Sequence, residues 1–171
     1  MSHPVHDANE SSPDGDLTRE EFYKNHQILH KESFMLNQQS MKIFTQSWRP
    51  NFTLQLKGLV TMLHGYNSES SWLFELTAVA IAKAGFLVCA IDLQAMAIQM
   101  AYLVTSPTLS PLSARFVYES AASEDKILKI FPSMWHQLIG EPKENVELVY
   151  GFISSWLGDR ANKGKSSANC F

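Results

Sequence analysis

Two histidine-containing segments have residue types and positions that could support catalysis. The first, His64-Gly65-Tyr66, directly follows an apolar run and precedes a helical stretch. Enzymes with an α/β sheet place their ligand-facing loops at the carboxyl ends of strands. A glycine in such a loop allows close backbone approach, so that the next N–H could point at an oxyanion. An ordinary strand-to-helix turn would explain the same residues, and both interpretations stay open.

The second segment ends in His136, which lies in the predicted loop between the last strand and the last helix. A histidine after a late strand could act as the general base for a nucleophile on another strand. Taken alone, the same residue could equally be an ordinary polar loop residue.

Candidate nucleophiles and metal ligands are sparse. Ser68, Ser70 and Ser71 lie near the first segment, but their position favours capping of the helix that follows. The chain has two cysteines, Cys89 and Cys170, too few for a disulfide framework or a four-cysteine zinc site. Cys89 lies in an apolar run and is expected to be a small core residue. No metal site and no cofactor are predicted.

The composition and charge of the chain argue against several classes of protein. The 171 residues carry a formal net charge of −3 and are 45% hydrophobic, which is typical of one globular domain. A slightly acidic chain offers no concentrated basic face for nucleic acid. No apolar stretch reaches the roughly 20 residues that span a bilayer, and no secretory signal is visible at the N-terminus. We expect a cytoplasmic protein, with peripheral membrane contact and oligomeric state left open.

The order of predicted elements indicates an α/β fold. Thr18 and Glu21 form a capping-box pattern at the start of a short helix, after a loose polar arm up to about residue 16. Residues 33–48 resemble a hairpin. A strand over 57–63, a helix over 70–84 and a strand over 86–91 form a βαβ unit, whose apolar strands suit a sheet covered on both faces.

The C-terminal third continues this pattern. A helix over 113–122, a strand over 127–131 and an amphipathic helix over 142–160 are predicted. The chain therefore divides into an arm with a short helix (1–32), an amino half (33–94), an irregular junction (95–112), a C-terminal part (113–162) and a polar tail (163–171).

Several of these segments closely resemble one known family. They are Leu-His-Gly-Tyr (63–66), Ser-Trp-Leu-Phe-Glu (71–75), Ala-Ile-Asp-Leu-Gln (90–94), the arm, the hairpin over 34–48, and the run from 123 to 136. All are similar to plant monoacylglycerol lipase-like proteins, the group that includes caffeoylshikimate esterase. These are serine aminopeptidase-type hydrolases of the α/β-hydrolase superfamily. The resemblance covers about residues 1–94 and 113–162.

The resemblance implies a mostly parallel α/β-hydrolase sheet and ester hydrolysis by a Ser–Asp–His triad. On this basis His136 would be the general base. The backbone N–H of Tyr66 would be an oxyanion-hole donor, with His64 and Gly65 in the same loop. Acylglycerols or phenolic esters would be the substrates of an intact parent enzyme.

Two parts of that triad have no counterpart in the chain. The nucleophile elbow of the fold is Gly-x-Ser-x-Gly, and no two glycines here are four positions apart. Between Gln94 and His136 the only aspartate is Asp125, which we interpret as a surface charge beside Lys126. The fold is therefore expected to be incomplete, without the central elbow strands and the lid, and the chain to be inactive. A non-catalytic binding protein and a gene-model artefact without a stable product are the alternatives.

The irregular junction suggests how the middle of the fold was lost. Residues 95–107 can be written as a family-like string, Gly-His-Gly-His-Ser-Asp-Gly-Leu-Pro-Gly-His-Ile-Pro, with one base removed. The Met-Ala pairs at 96–97 and 100–101 each force a glycine codon in the other frame. We interpret the segment as a one-base frame slip after Gln94, with the original frame recovered near Ser113.

Overall fold

The computed structural model describes residues 4–6, 8, 12–53, 55–63, 73–92, 115–116, 118–132, 134 and 141–168. The helices and strands with defined ends are a 3-10 turn Pro4–His6, α1 Arg19–His26, β1 Ile28–Leu36, β2 Lys42–Pro50, β3 Leu59–Leu63, α2 Leu73–Lys83, β4 Leu87–Ile91 and α3 Lys143–Ala168. Within the described part of the chain, every helix is too short or too polar to cross a bilayer.

The predicted hairpin is confirmed and is longer than expected. β1 and β2 pair antiparallel over their whole length, with Phe34 opposite Phe44. The side chain of Asn37 closes the turn, because its Oδ1 accepts from the backbone N–H groups of Gln39 and Met41, each at 2.9 Å. An asparagine that bonds its own turn in this way fixes the register of the two strands.

The predicted βαβ unit is also confirmed. β3 and β4 are parallel neighbours joined through α2, and α2 is followed by Gly85 at φ +100, a conformation that favours glycine. The strand order is β1-β2-β4-β3, and β2 runs antiparallel to both of its neighbours. The fold is α/β, as expected. The described sheet is mixed rather than mostly parallel, because the hairpin adds two antiparallel pairings.

Coverage of the sheet differs from the prediction. Along β4 the side chains alternate: Val88 and Ala90 are buried, while Leu87, Cys89 and Ile91 are half-buried. The buried side chains belong to the core cluster that also contains α2. The expectation of strands covered on both faces is therefore wrong for the described residues. The prediction that Cys89 is a core residue is wrong as well, because its side chain lies on the less covered face.

The N-terminal arm is more ordered than its composition predicts. Pro4 and Val5 are buried and form part of a 3-10 turn that contacts α2. The predicted capping box at α1 is confirmed: Thr18 accepts from the Glu21 backbone N–H, and the Glu21 carboxylate accepts from the Thr18 backbone N–H at 3.0 Å. The arm near Pro4 is therefore part of the core, and the expectation of a loose arm is wrong there.

The C-terminal part departs most from expectation. Residues 115–116 and 118–120 are helical, but residues 127–131 do not form the predicted strand. α3 continues past the predicted end at Arg160 to Ala168. It joins the core through Val146 and Tyr150, which are buried, and the Tyr150 hydroxyl lies 2.8 Å from Thr77 Oγ1 on α2.

One edge of the described sheet is formed by β3. Among the described residues, β3 pairs with β4 on one side and with no strand on the other. Its sequence, Leu-Val-Thr-Met-Leu, contains no charge and no proline, and the side chains of Leu59 and Leu63 are 64% and 61% exposed. Edge strands of stable monomers usually carry charges, prolines or bulges that discourage pairing with another chain.

We expect Leu59→Lys to reduce self-association of the protein, because a charge on the edge strand disfavours strand pairing between molecules. Light scattering and size-exclusion chromatography of the purified chain would measure the effect. Leu148→Lys is the matched control, since Leu148 is similarly exposed but lies on α3. An equal reduction in both variants would show that added charge, and not the β3 edge, is responsible.

Candidate functional site

The carboxyl ends of the two parallel strands lie side by side. In the register of β3 and β4, Leu63 is opposite Ile91. The Asp92 backbone N–H then donates to the Phe44 carbonyl at 2.9 Å and extends the ladder to β2. The predicted oxyanion segment begins directly after Leu63, at the carboxyl ends of the strands, where α/β enzymes bind ligands.

The predicted site residues themselves lie outside the described residues. This holds for His64, Gly65 and Tyr66, and for His136. Their roles in catalysis remain predictions. The serines near the predicted oxyanion loop, Ser68, Ser70 and Ser71, also lie outside the described part.

Asp125, the aspartate considered for the triad, is described. Its carboxylate forms an ion pair with Arg160 on α3, and its side chain is 60% exposed. An exposed, ion-paired carboxylate has the environment of a surface charge, in agreement with the interpretation from sequence.

A buried polar network occupies the centre of the described fold. Glu75 on α2 is only 5% exposed. Its carboxylate accepts a hydrogen bond from the Tyr23 hydroxyl and lies 3.2 Å from Arg19 Nη2, both on α1. The Tyr23 oxygen in turn accepts from Trp48 Nε1 on β2 at 3.1 Å. A buried carboxylate is tolerated only when charge and hydrogen bonds compensate its lost hydration, and Arg19 and Tyr23 supply both.

His30 on β1 extends the network through ring stacking. Its imidazole lies between the rings of Tyr23 and Trp48, with centroids 4.6 Å and 5.2 Å away. Its Nε2 lies 2.9 Å from Gln46 Oε1. The Arg19 guanidinium also contacts Glu32 on β1 at 2.7 Å. The network therefore joins α1, α2 and the hairpin.

Electrostatics argue for a structural role of these groups. Burial raises the pKa of the Tyr23 hydroxyl well above its usual value, and the negative charge of Glu75 raises it further. Burial also lowers the pKa of His30, which keeps the imidazole neutral near pH 7. The Cys89 thiol is not activated either, because burial raises its pKa and disfavours the nucleophilic thiolate. A groove of about 720 Å³ between α1 and β1 adjoins this network and includes Arg19 and His30 in its wall.

Among the described residues, no group of three or more histidine, cysteine, aspartate or glutamate side chains could hold a metal ion.

The sequence contains one signal for the buried network. Glu75 is the only charged residue of α2 before Lys83, in an otherwise apolar helix. A single acidic residue in an apolar helix indicates a buried carboxylate that needs a partner. The identity of that partner cannot be predicted, since Tyr23 is 52 positions away.

The comparisons with known proteins cover only part of the chain. No family model matches it. Over 54 residues it is 44% identical to caffeoylshikimate esterase of Arabidopsis thaliana, and the match covers 31% of this chain and 16% of the esterase. Part of this chain is similar to an esterase. The matched segment thus supports the α/β-hydrolase family and, in broad terms, carboxylic-ester hydrolases.

A solved structure with partial similarity is brefeldin A esterase, described as a bacterial homologue of human hormone sensitive lipase. It is 18% identical, with a TM-score of 0.36, over 40% of this chain and 20% of that esterase. This likeness is too slight to carry an argument.

We expect Tyr23→Phe to lower the free energy of unfolding by about 1–3 kcal/mol, because it removes the hydroxyl shared by Glu75 and Trp48. Urea denaturation would measure the change. Tyr118→Phe is the control, since its ring can keep the contact with Lys126 without a hydroxyl, and a change within about 0.5 kcal/mol is expected. Equal losses in both variants would contradict a special role for the Tyr23 hydroxyl.

Stability should fall as the pH drops below about 6.5. The pKa of His30 is lowered by burial in the folded protein, so the unfolded chain binds the proton more readily. The contribution of His30 to the free energy of unfolding is therefore present above the pKa that His30 has in the unfolded chain. It is lost as the pH falls through the lower pKa that His30 has in the folded protein. Urea denaturation of the wild type and of His30→Phe between pH 5 and pH 8 tests this, and the variant should show the shallower loss. Parallel pH profiles would exclude His30 as the cause.

Proposed function

We propose that this chain is an internally deleted relative of carboxylic-ester hydrolases of the monoacylglycerol lipase and caffeoylshikimate esterase type, and that it does not itself hydrolyse esters. The observation that carries the proposal is a 54-residue segment 44% identical to an esterase in a chain without Gly-x-Ser-x-Gly. The matched segment spans about a sixth of that esterase, so the activity of the whole enzyme is part of the proposal.

Within this proposal, the remaining site residues keep the roles that the resemblance implies. The backbone N–H of Tyr66, in the loop with His64 and Gly65, would bind the oxyanion of a tetrahedral intermediate. His136 would remove the proton from a serine hydroxyl and return it to the leaving group. Neither step can proceed without the serine, because the acyl-enzyme ester forms on its oxygen. The adjacent carboxyl ends of β3 and β4 support the location of the oxyanion loop.

The substrates proposed for an intact parent are acylglycerols or phenolic esters. The name of the matched relative, caffeoylshikimate esterase, supports a phenolic ester. We also propose a cytoplasmic location with peripheral membrane contact, on the resemblance alone. No cofactor and no nucleic acid are part of the proposal.

A non-catalytic binding protein is the second candidate. The buried network around Glu75 and the core clustered around Trp48 favour it, because they join α1, α2 and the hairpin without the missing elbow. A soluble protein that melts cooperatively would support this candidate. Insoluble expression would instead favour a gene-model artefact with no stable product.

We expect no hydrolysis of p-nitrophenyl butyrate, monoacylglycerol or caffeoyl shikimate, because the chain lacks an activated serine. The purified chain should also resist labelling by a fluorophosphonate probe, which reacts with activated serines. The Arabidopsis esterase serves as the positive control in the same assays.

His136→Ala provides the internal comparison for the proposed role of this residue. The wild type and the His136→Ala variant should give the same background rate of ester hydrolysis. Hydrolysis by the wild type that His136→Ala abolishes would overturn the proposal of inactivity and would establish His136 as part of a working site.

A further inference from the structure

The outer edge of β3 presents backbone groups that no described strand pairs. The Gly58 carbonyl accepts from the Leu87 backbone N–H at 3.0 Å, so the carbonyl of Gly58 faces β4. In a parallel ladder, every second residue of a strand bonds to the same neighbour. The even-numbered residues of β3 therefore bond to β4, and among the described residues no strand lies on the other side of β3. The N–H and C=O groups that point outward are those of Leu59, Thr61 and Leu63.

The same three residues lie on the less covered face of the sheet. Exposure alternates along β3, with Leu59, Thr61 and Leu63 exposed and the two residues between them half-buried. The side chains of Leu59 and Leu63 are 64% and 61% exposed. This edge therefore offers a partner strand both free backbone groups and apolar side chains, the combination that favours pairing with another chain.

The sequence of β3 is complementary to itself when two copies run antiparallel. With Thr61 opposite Thr61 of the second copy, Leu59 of each copy lies opposite Leu63 of the other. All of these positions have outward-pointing backbone groups, so each pair can exchange two hydrogen bonds. The threonine pair is favourable at directly opposite positions, and the leucine pairs bury apolar surface. Val60 and Met62 also lie opposite each other, which continues the covered face across the contact.

The other edge strand, β1, carries charges that discourage the same contact. Lys31 and Glu32 lie at the middle of this strand, which extends from Ile28 to Leu36. Antiparallel pairing of two β1 strands over their full length would place Glu32 opposite Glu32 of the second copy. Like charges at directly opposite positions are destabilising. Pairing through β3 therefore stops at two copies, because both outer edges of the joined sheet are β1.

We propose that β3 is the contact of a homodimer, in which the β3 strands of two copies pair antiparallel about a twofold axis at Thr61. The contact joins the two four-stranded sheets into one. It is isologous, since each copy contributes the same residues, and it closes after two copies. None of these residues is predicted to act in ester hydrolysis, so the inference stands or falls independently of the proposed function.

Sedimentation velocity of the purified chain between about 1 and 200 µM measures the assembly state. We expect a reversible equilibrium between monomer and dimer, in which the dimer is the largest species. A monomer throughout this range, or a series of assemblies larger than the dimer, would overturn the proposal.

Hydrogen exchange of single backbone amides, followed by NMR at both ends of this range, tests the strand and its register. The amides of Leu59, Thr61 and Leu63 should exchange at least about tenfold more slowly at the high concentration, because they are bonded only in the dimer. The amides of Val60 and Met62 are the internal reference, since they bond to β4 in both states. Unchanged exchange of the three outward amides in a dimeric sample would place the contact elsewhere and overturn the proposal.

Thr61→Pro removes an outward N–H at the centre of the contact and leaves the bonds to β4 available. It should raise the dissociation constant of the dimer at least about tenfold. Leu36→Pro is the matched control on β1. The Asn37 N–H bonds to Met41 across the hairpin, so the N–H of the preceding residue, Leu36, points outward. This control should dimerise like the wild type, and an equal loss in both variants would overturn the proposal.

Urea denaturation establishes that each variant is folded before its assembly is measured. If Thr61→Pro does not fold, Thr61→Lys decides the question, because it changes only an exposed side chain and places two lysines directly opposite each other in the dimer. Wild-type dimerisation of a folded Thr61→Lys variant would overturn the proposal.

Discussion

The fold depends on one buried carboxylate. Glu75 lies on the apolar helix α2, where an uncompensated charge would be strongly unfavourable. Compensation comes from the Tyr23 hydroxyl and the Arg19 guanidinium, and both residues belong to α1. The short helix α1 is therefore fixed against α2 and the hairpin by polar contacts. The fully buried Phe22 adds an apolar contact of α1 with the core.

Only one face of the described sheet is well covered. The core cluster includes side chains of α1, α2 and α3 with one set of strand side chains, among them Trp48 and Val88. The alternate residues, such as Cys89, are half-buried. The segment matched to the esterase spans 16% of that protein. Within the described residues, β3 forms an exposed edge of the sheet.

Local sequence signals predicted the elements whose stabilising contacts are themselves local. The capping box at Thr18, the hairpin turn at Asn37 and the helix end at Gly85 each depend on residues within a few positions of one another. Prediction failed where the outcome depends on distant partners. Residues 127–131 have the composition of a strand but pair with no strand in the described sheet, because side-chain composition cannot supply a neighbour for the backbone. Likewise, Pro4 and Val5 are buried because α2 lies beside them, although the surrounding sequence is polar.

The sequence by itself determined that the chain has no Gly-x-Ser-x-Gly elbow, since no arrangement of the chain can create a motif that its residues lack. It also determined the helices and strands that local hydrogen bonds and hydrophobic periodicity define. Only the tertiary structure decided the strand order, the covered face of the sheet and the partners of Glu75. The physical reason is distance along the chain: Glu75 meets Tyr23 and Arg19 across 52 and 56 positions, and such contacts form only when the whole core assembles.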